Sequence, residues 1–352
     1  MSSLIPMDVL CLHVAGGTAD ECEKLVRAFG SPGLWRERSP DDWRKAGLPD
    51  ERLRLVLSDP EGRAAQAEAT ACLKRGIRLV WCEEADFPPV LRRLPQLPLV
   101  LAVRGRWPPP QPALGVVGSR AATPYGLNAT RRLAGAAARA GVALVSGLAR
   151  GIDRAAHDAA LAEGACPIAV LGNGLGVPYP PEHAELQETI AQSGTLISEF
   201  TLYDPPARWT FPRRNRLIAA LARWLLVVEA SSKSGALITS RYALELDHTV
   251  LAVPGPIDSA TSYGTNRLIA DGAQPIIDVD DLLLALDLTP AAGTSGPRDP
   301  LLAALGSAVL PPDELARRLM RPVSEVRAAL VALELQGRVL RVAGGRYAAR
   351  SG

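Results

Sequence analysis

Aromatic side chains make up only 5% of this sequence, charged ones 22%, and the formal net charge is +2. Gross charge therefore gives no pull toward nucleic acid or a membrane surface, so any anion site must be a local cluster. Cysteine is scarce too. Cys11, Cys22, Cys72, Cys82 and Cys166 are odd in number, and no pair has C-x-x-C spacing. That supports neither a disulfide framework nor a zinc site, and reduced thiols in a cytoplasmic protein are the expectation. No apolar run approaches the ~20 residues of a membrane span. The start, Met1 to Thr18, carries Asp8 and no basic lead, unlike a secretory signal. The phosphate loop G-x-x-x-x-G-K-[ST] is missing, and so is G-x-G-x-x-G; Gly172-Asn173-Gly174-Leu175-Gly176 has the wrong spacing. Ser146-Gly147 lacks the flanks of a nucleophile elbow.

What is present is a 352-residue chain, 47% hydrophobic, too long for one ordinary core and expected to form two or three domains. Residues 1–106 mix charged and apolar positions at helical spacing, as in Asp20–Phe29 and Pro60–Arg75, with one short strand at Ile77–Trp81. Trp107 to Pro112 holds four prolines in six residues and reads as a linker. From 113 to 288, short continuous apolar runs alternate with helical patterns. The strands expected are Leu114–Val117, Ala143–Val145, Ile168–Leu171, Leu196–Ser198, Leu225–Val228, Val250–Val253 and Pro275–Ile277. The helices expected between them include Tyr125–Ala140, Ile152–Glu163, Pro212–Ala222 and Gly235–Leu246. Continuous apolar strands alternating with helices imply an α/β, Rossmann-like, doubly wound and mostly parallel sheet. A Gly/Pro/Ser/Thr-rich linker follows at Thr289–Pro300. Residues 298–352 then read as helices Pro300–Leu305, Pro312–Leu319 and Ser324–Gln336. Strands Val339–Val342 and Arg346–Ala348 follow, joined at Gly344-Gly345. Three helices before a hairpin is the winged-helix order. This segment holds nine arginines and five acidic residues over 298–350, a balance that leaves DNA and protein equally open as its partner.

Ligands of an open parallel sheet bind beyond the carboxyl ends of its strands, beside helix N-termini. Small residues dominate every such end here. Gly118-Ser119-Arg120 follow Val117, and Ser146-Gly147-Leu148-Ala149-Arg150-Gly151 follow Val145. Gly172-Asn173-Gly174 follow Leu171, Glu229 to Gly235 (with Lys233 and Ser234) follow Val228, and Pro254-Gly255 follow Val253. One such loop is most often structural; five on one edge favour a phosphate-binding rim. His157 lies one helical turn from Asp153; an acid–base pair is conceivable there, and a capping contact is the commoner reading. Positive charge concentrates in Arg208-Trp209-Thr210-Phe211-Pro212-Arg213-Arg214-Asn215-Arg216. Residues 205–241 carry seven basic side chains and one acidic one, Glu229. Arginines follow a phosphate backbone and an aromatic face stacks an unpaired base, worth ~1–3 kcal/mol per base. The competing reading is a solvated basic helix start whose Trp209 or Phe211 plugs the core.

These residues resemble the DprA/Smf family of DNA-processing proteins of natural transformation. The resemblance runs in order through Val117-Gly118-Ser119-Arg120 with Tyr125-Gly126, and Ser146 to Asp153 with Ala156-His157. It continues through Leu171 to Gly174 with Tyr179-Pro180, Ile197-Ser198-Glu199, Phe211 to Arg216 and Val228-Glu229-Ala230. Ser234 to Thr239, Ala252 to Gly255, and Gly264 to Ile269 with Asp271-Gly272-Ala273 complete it. It is dense over about 113–275. Gly176, His183, Ala220 and Asp247-His248 depart from the family pattern. The resemblance implies a homodimer that binds single-stranded DNA, loads RecA onto it and displaces single-strand binding protein, in transformation or recombinational repair. It implies no catalytic step, and neither a metal nor a cofactor is expected. It implies that Ser119 and Arg120 hold a phosphate, that the Phe211 region stacks a base, and that Lys233, Ser234 and Gly235 line the same pocket. Gly118, Gly147, Arg208, Arg213, Arg214, Asn215, Arg216 and Thr239 complete the expected nucleic-acid site. A helical, SAM-like domain over 1–106, a DML1-like winged helix, and a dimer contact after Gly264 are also implied. The rival on a similar fold is a nucleotide-cleaving phosphoribohydrolase, which needs a Pro-Gly-Gly-x-Gly-Thr loop and a catalytic Glu. The nearest string, Ala252-Val253-Pro254-Gly255-Pro256, lacks the second glycine. A scaffold whose basic strip is bystander surface is the second rival, and salt dependence of DNA binding separates it.

Overall fold

The continuous apolar runs become strands buried on both faces. In the computed structural model, which describes residues 5–33, 35–288, 300–306, 308–335, 338–342 and 344–349, those strands belong to one sheet of nine. The nine are β1 (Arg78–Trp81), β2 (Val100–Gly105), β3 (Ala113–Val117), β4 (Ala143–Ser146), β5 (Pro167–Val170), β6 (Thr195–Ser198), β7 (Trp224–Val227), β8 (Thr249–Ala252) and β9 (Gln274–Pro275). Their spatial order is β1-β2-β6-β5-β4-β3-β7-β8-β9. Every residue of β3 through β7 is buried. That explains why their sequences show no alternation. β6 through β9 run parallel, while β1 and β2 join antiparallel at one edge. The chain winds outward from β3 through β4 and β5 to β6, then returns to β7 on the other side of β3. The strand order thus reverses at β3/β7, the switch point where a crevice opens beyond the carboxyl ends.

The chain falls into two compact units, residues 1–288 and 289–352. The expected boundary at 106 cuts through the sheet of the first. Val100–Gly105, assigned by sequence to the N-terminal helical region, is a strand that pairs Ala102 with Ser198 and Val103 with Ile197. The proline-rich 107–112 segment therefore joins two strands of one sheet. An antiparallel strand needs no crossover helix, so the strand–helix rhythm carried no sign of it. Before it, helices Met7–Val14, Ala19–Phe29, Pro40–Lys45, Asp50–Leu57 and Arg63–Lys74 follow the expected helical character. Thr18 with Glu21, and Ser39 with Asp42, start two of them as capping boxes. Their core is built around Leu12, Leu25, Trp35, Trp43 and Leu53, all buried.

In the second unit, helices Pro300–Leu305, Pro312–Leu319 and Val323–Leu335 precede a hairpin of Val339–Val342 and Arg346–Ala349. A short strand, Val309–Leu310, pairs with the outer side of Arg346–Ala349, so the wing has three strands rather than two. Leu301, Leu315, Val326, Leu330 and Tyr347 pack its core. The expected helix end at Gln336, and residues 289–299 of the expected linker, lie outside the described residues.

Candidate nucleic-acid interface

A cleft of about 330 Å³ opens at the switch point. Its walls are the loop after β3 (Gly118, Ser119, Arg120), the loop after β7 (Ser231, Ser234, Gly235), Thr239, and Arg214 with Asn215 on helix Thr210–Leu221. The sequence loops meet here because parallel strands present all their carboxyl ends to one edge. Gly151 fixes the floor. It has φ 73°, outside the range of most residues, and a Cβ there would overlap the Ser119 carbonyl oxygen. That carbonyl also accepts the Ile152 amide at 3.2 Å, tying the loop after β3 to helix Ile152–Ala162. Glu229 ties it from the other side, accepting the Thr123 amide at 2.9 Å and the Thr123 hydroxyl at 2.6 Å. Asn215 Nδ2 donates to the Gly235 carbonyl at 3.2 Å and spans the cleft.

A narrower crevice adjoins it, lined by Arg120, Gly147, Arg150, Gly172, Tyr179 and Phe211. Phe211 lies on Gly172, where a Cβ would come within 2.8 Å of the ring. Its ring meets Tyr179 at a centroid distance of 5.6 Å, and the Arg120 guanidinium sits over it at 4.8 Å. Phe211 is therefore partly buried in the site rather than a plug in the core.

The arginine strip divides in two. Arg214 is 3% exposed and donates to the Gly147 carbonyl at 2.7 Å and to the Val170 carbonyl. Burial pushes its guanidinium down to about 10, with Asp153 opposing. Arg216 is equally buried and pairs with Glu199. Arg213 is half-exposed and donates to the same Glu199 carboxylate at 3.0 Å. Two of the four expected phosphate contacts in this strip thus hold the loops from beneath, and Arg213, Arg216, Arg208 and Lys233 do not line the cleft. Arg120, Arg208 and Lys233 are exposed and make no ion pair among the described residues.

Beneath the loops lie titratable groups that the sequence did not mark as buried. Asp153 accepts the Gly147 and Ala149 amides at 3.2 and 3.3 Å, and burial pushes its carboxyl up against the pull of Arg214. His157 is fully buried with neither ring nitrogen hydrogen-bonded, and burial lowers it to about 3. Its relation to Asp153 is therefore not a paired one. His183 Nδ1 donates to the Leu148 carbonyl at 3.0 Å, holding Leu148 at φ 55° in the loop after β4. Among the described residues no three His, Cys, Asp or Glu side chains gather as a metal site, and no helix is long and apolar enough to cross a membrane.

Known proteins share this architecture. A family profile described as DNA recombination-mediator protein A matches residues 78–287, and one described as the DprA winged helix domain matches 285–345. Protein Smf of Escherichia coli is 40% identical over 321 residues, covering 86% of this chain and 85% of its own. The X-ray structure of DNA processing protein A from Streptococcus pneumoniae superposes with TM-score 0.68 at 29% identity, covering 80% of this chain and 98% of that one. A structure of DNA processing protein A from Helicobacter pylori superposes with TM-score 0.53 at 29% identity, covering 59% of this chain and 95% of that one. It is described as giving insight into a single-stranded DNA binding mode.

Proposed function

Because the chain belongs to the DNA recombination-mediator protein A family, we propose that its switch-point cleft binds single-stranded DNA, without a catalytic step. The observation that carries this reading is the meeting of small-residue loops, an unpaired Arg120 and an aromatic ring at one cleft. Gly118 to Arg120 offer backbone N–H groups and a guanidinium to a phosphate. Phe211 offers a face to a base without selecting which base. Lys233, Arg208 and Arg213 lie outside the cleft, on the strip and the loop after β7, and act as longer-range attraction for the backbone. The cleft's described lining holds one carboxylate, Asp153, and it is engaged by two amides. That speaks against the nucleotide-cleaving phosphoribohydrolase reading, whose catalytic Glu would have to reach the substrate in this cleft.

The same reading extends to partners. It takes the protein to act as a homodimer that loads RecA onto the bound strand and displaces single-strand binding protein, and takes the 298–352 module as an accessory to one of these contacts. The deciding experiment is fluorescence anisotropy with unstructured single-stranded and duplex oligonucleotides at two salt concentrations, with no nucleotide or metal added. Preference for the single strand, weakened by salt, supports the reading. A folded protein that binds neither defeats it and makes a screen for nucleotide hydrolysis the next step.

A further inference from the structure

The carboxyl-end rim of the sheet does not stop at the cleft. Past β3 with Ser119 and Arg120, and β5 with Phe211 on Gly172, it reaches the end of β6, where Phe200 is buried. Trp209 stands on Phe200 edge-on, with ring centroids 5.9 Å apart and an interplanar angle of 69°. Arg213 lies over the Phe200 ring at 5.6 Å. The support is thus packed and fixed, yet Trp209 itself is 62% exposed. It is the one exposed tryptophan of six; Trp35, Trp43 and Trp224 are buried, and Trp81 and Trp107 are half-buried. Arg208 beside it is exposed as well.

Leaving an indole in water costs the burial that a tryptophan normally gains. A propped, exposed indole beside a free arginine has the chemistry of a stacking platform with a phosphate neighbour. Its place is also right. Trp209 is two residues from Phe211, so their Cα atoms lie within about 7 Å. β3 and β6 are three strand spacings apart, about 14 Å, or roughly four stacked nucleotide steps.

We infer that Trp209 forms a second base-stacking subsite, and that a bound single strand runs along the rim from the Ser119–Arg120 loop past Phe211 to Trp209. The inference rests on the single-strand reading above and adds a direction across the sheet to it. Tyr203, 55% exposed with Arg75 over its ring at 5.3 Å, lies on the same loop between β6 and the helix Thr210–Leu221.

Tryptophan fluorescence and anisotropy on the full chain test it with a thymidine 15-mer. Trp209→Ala should weaken binding by about 5- to 150-fold, the loss of one stacked base, with the salt slope unchanged because no charge is removed. Trp209→Phe should keep most of the affinity but abolish the quenching that the oligonucleotide produces in the wild type. If Trp209→Ala binds as the wild type does, or if quenching survives in Trp209→Phe, the ring merely covers Phe200 and the inference falls. If the wild type itself does not bind the 15-mer, the single-strand reading falls with it, which separates the two failures.

Discussion

Replacing Arg216 by alanine should make the protein easier to unfold while leaving the salt dependence of its DNA binding unchanged. A basic residue inside an arginine strip would ordinarily be assigned to a phosphate. Here its side chain is 4% exposed and its Nη2 donates to Glu199 Oε2, while its Nε and Nη1 have no partner. Burial lowers its guanidinium pKa, and Glu199 pulls the other way. Removing one member of a buried ion pair costs about 3–5 kcal/mol, because the other charge stays behind without water. Arg213 still reaches the Glu199 carboxylate at 3.0 Å, which places the loss near the lower end, roughly 3 kcal/mol. Against a total stability of ~5–15 kcal/mol this is a large fraction. Urea unfolding gives the first quantity, and oligonucleotide affinity over a salt series gives the second. Replacing the pair together, as Arg216→Met with Glu199→Leu, should recover most of the stability, since apolar substitutes often match a buried pair. The reasoning is refuted if Arg216→Ala stays within about 0.5 kcal/mol of the wild type while the salt slope drops by about 0.7. That result would put the guanidinium on a phosphate.

Arg120→Ala should leave unfolding almost unchanged, since the side chain is exposed, and should weaken single-strand binding with a salt slope lower by about 0.7. An unchanged affinity would remove Arg120 from the site. Phe211→Ala should weaken binding by the ~1–3 kcal/mol of one stacked base at constant salt slope, and a loss that followed charge alone would count against stacking. His157 should give an acid-dependent stability. Its pKa falls from 6.5 to about 3 on folding, so the folded state keeps the neutral ring and protons favour the unfolded chain. The stability it contributes is full above pH 6.5. It declines by about 1.4 kcal/mol per pH unit as pH falls from there toward 3. Thermal unfolding of wild type and His157→Leu over pH 4–8 should show a flatter acid limb in the variant, and parallel curves would show that the ring has a partner.

The strands around the switch point were legible because a strand buried on both faces must be apolar throughout. β3 to β8 accordingly lie within a residue or two of the runs that announced them. Strand β2 was not, because Val100–Gly105 sits in a region of helical texture and pairs antiparallel, with no helix on either side to complete a repeat. The cleft was legible as chemistry: glycine and serine at strand ends, one arginine after β3, one aromatic in a basic run. What sequence could not convey was which arginines face water. Helix Thr210–Leu221 is buried on nearly all sides toward its end, so the acceptors of Arg214 are carbonyls of Gly147 and Val170, far away in sequence. Composition gives the sign of a charge and never its partner. Trp209 shows the converse. Sequence left two readings open for it, a stacking face or a plug for the core, and the placement of Phe200 underneath shows that the core is already closed there.

The antiparallel pair at the sheet edge bears on how the chain can be shortened. A truncation beginning at 107, placed where the prolines suggest a seam, would strip β2 from β6. Thr195–Ser198, buried along its whole length, would become a bare apolar rim with unpaired amides and carbonyls. Such a rim recruits strands from other molecules. A fragment starting near Ile77 would keep β1 and β2 on β6, but it would uncover Val80, Val100 and Leu101, which share one buried core with Leu12, Leu25 and Trp43, so the sheet edge stays shielded only when the N-terminal helices are kept with it.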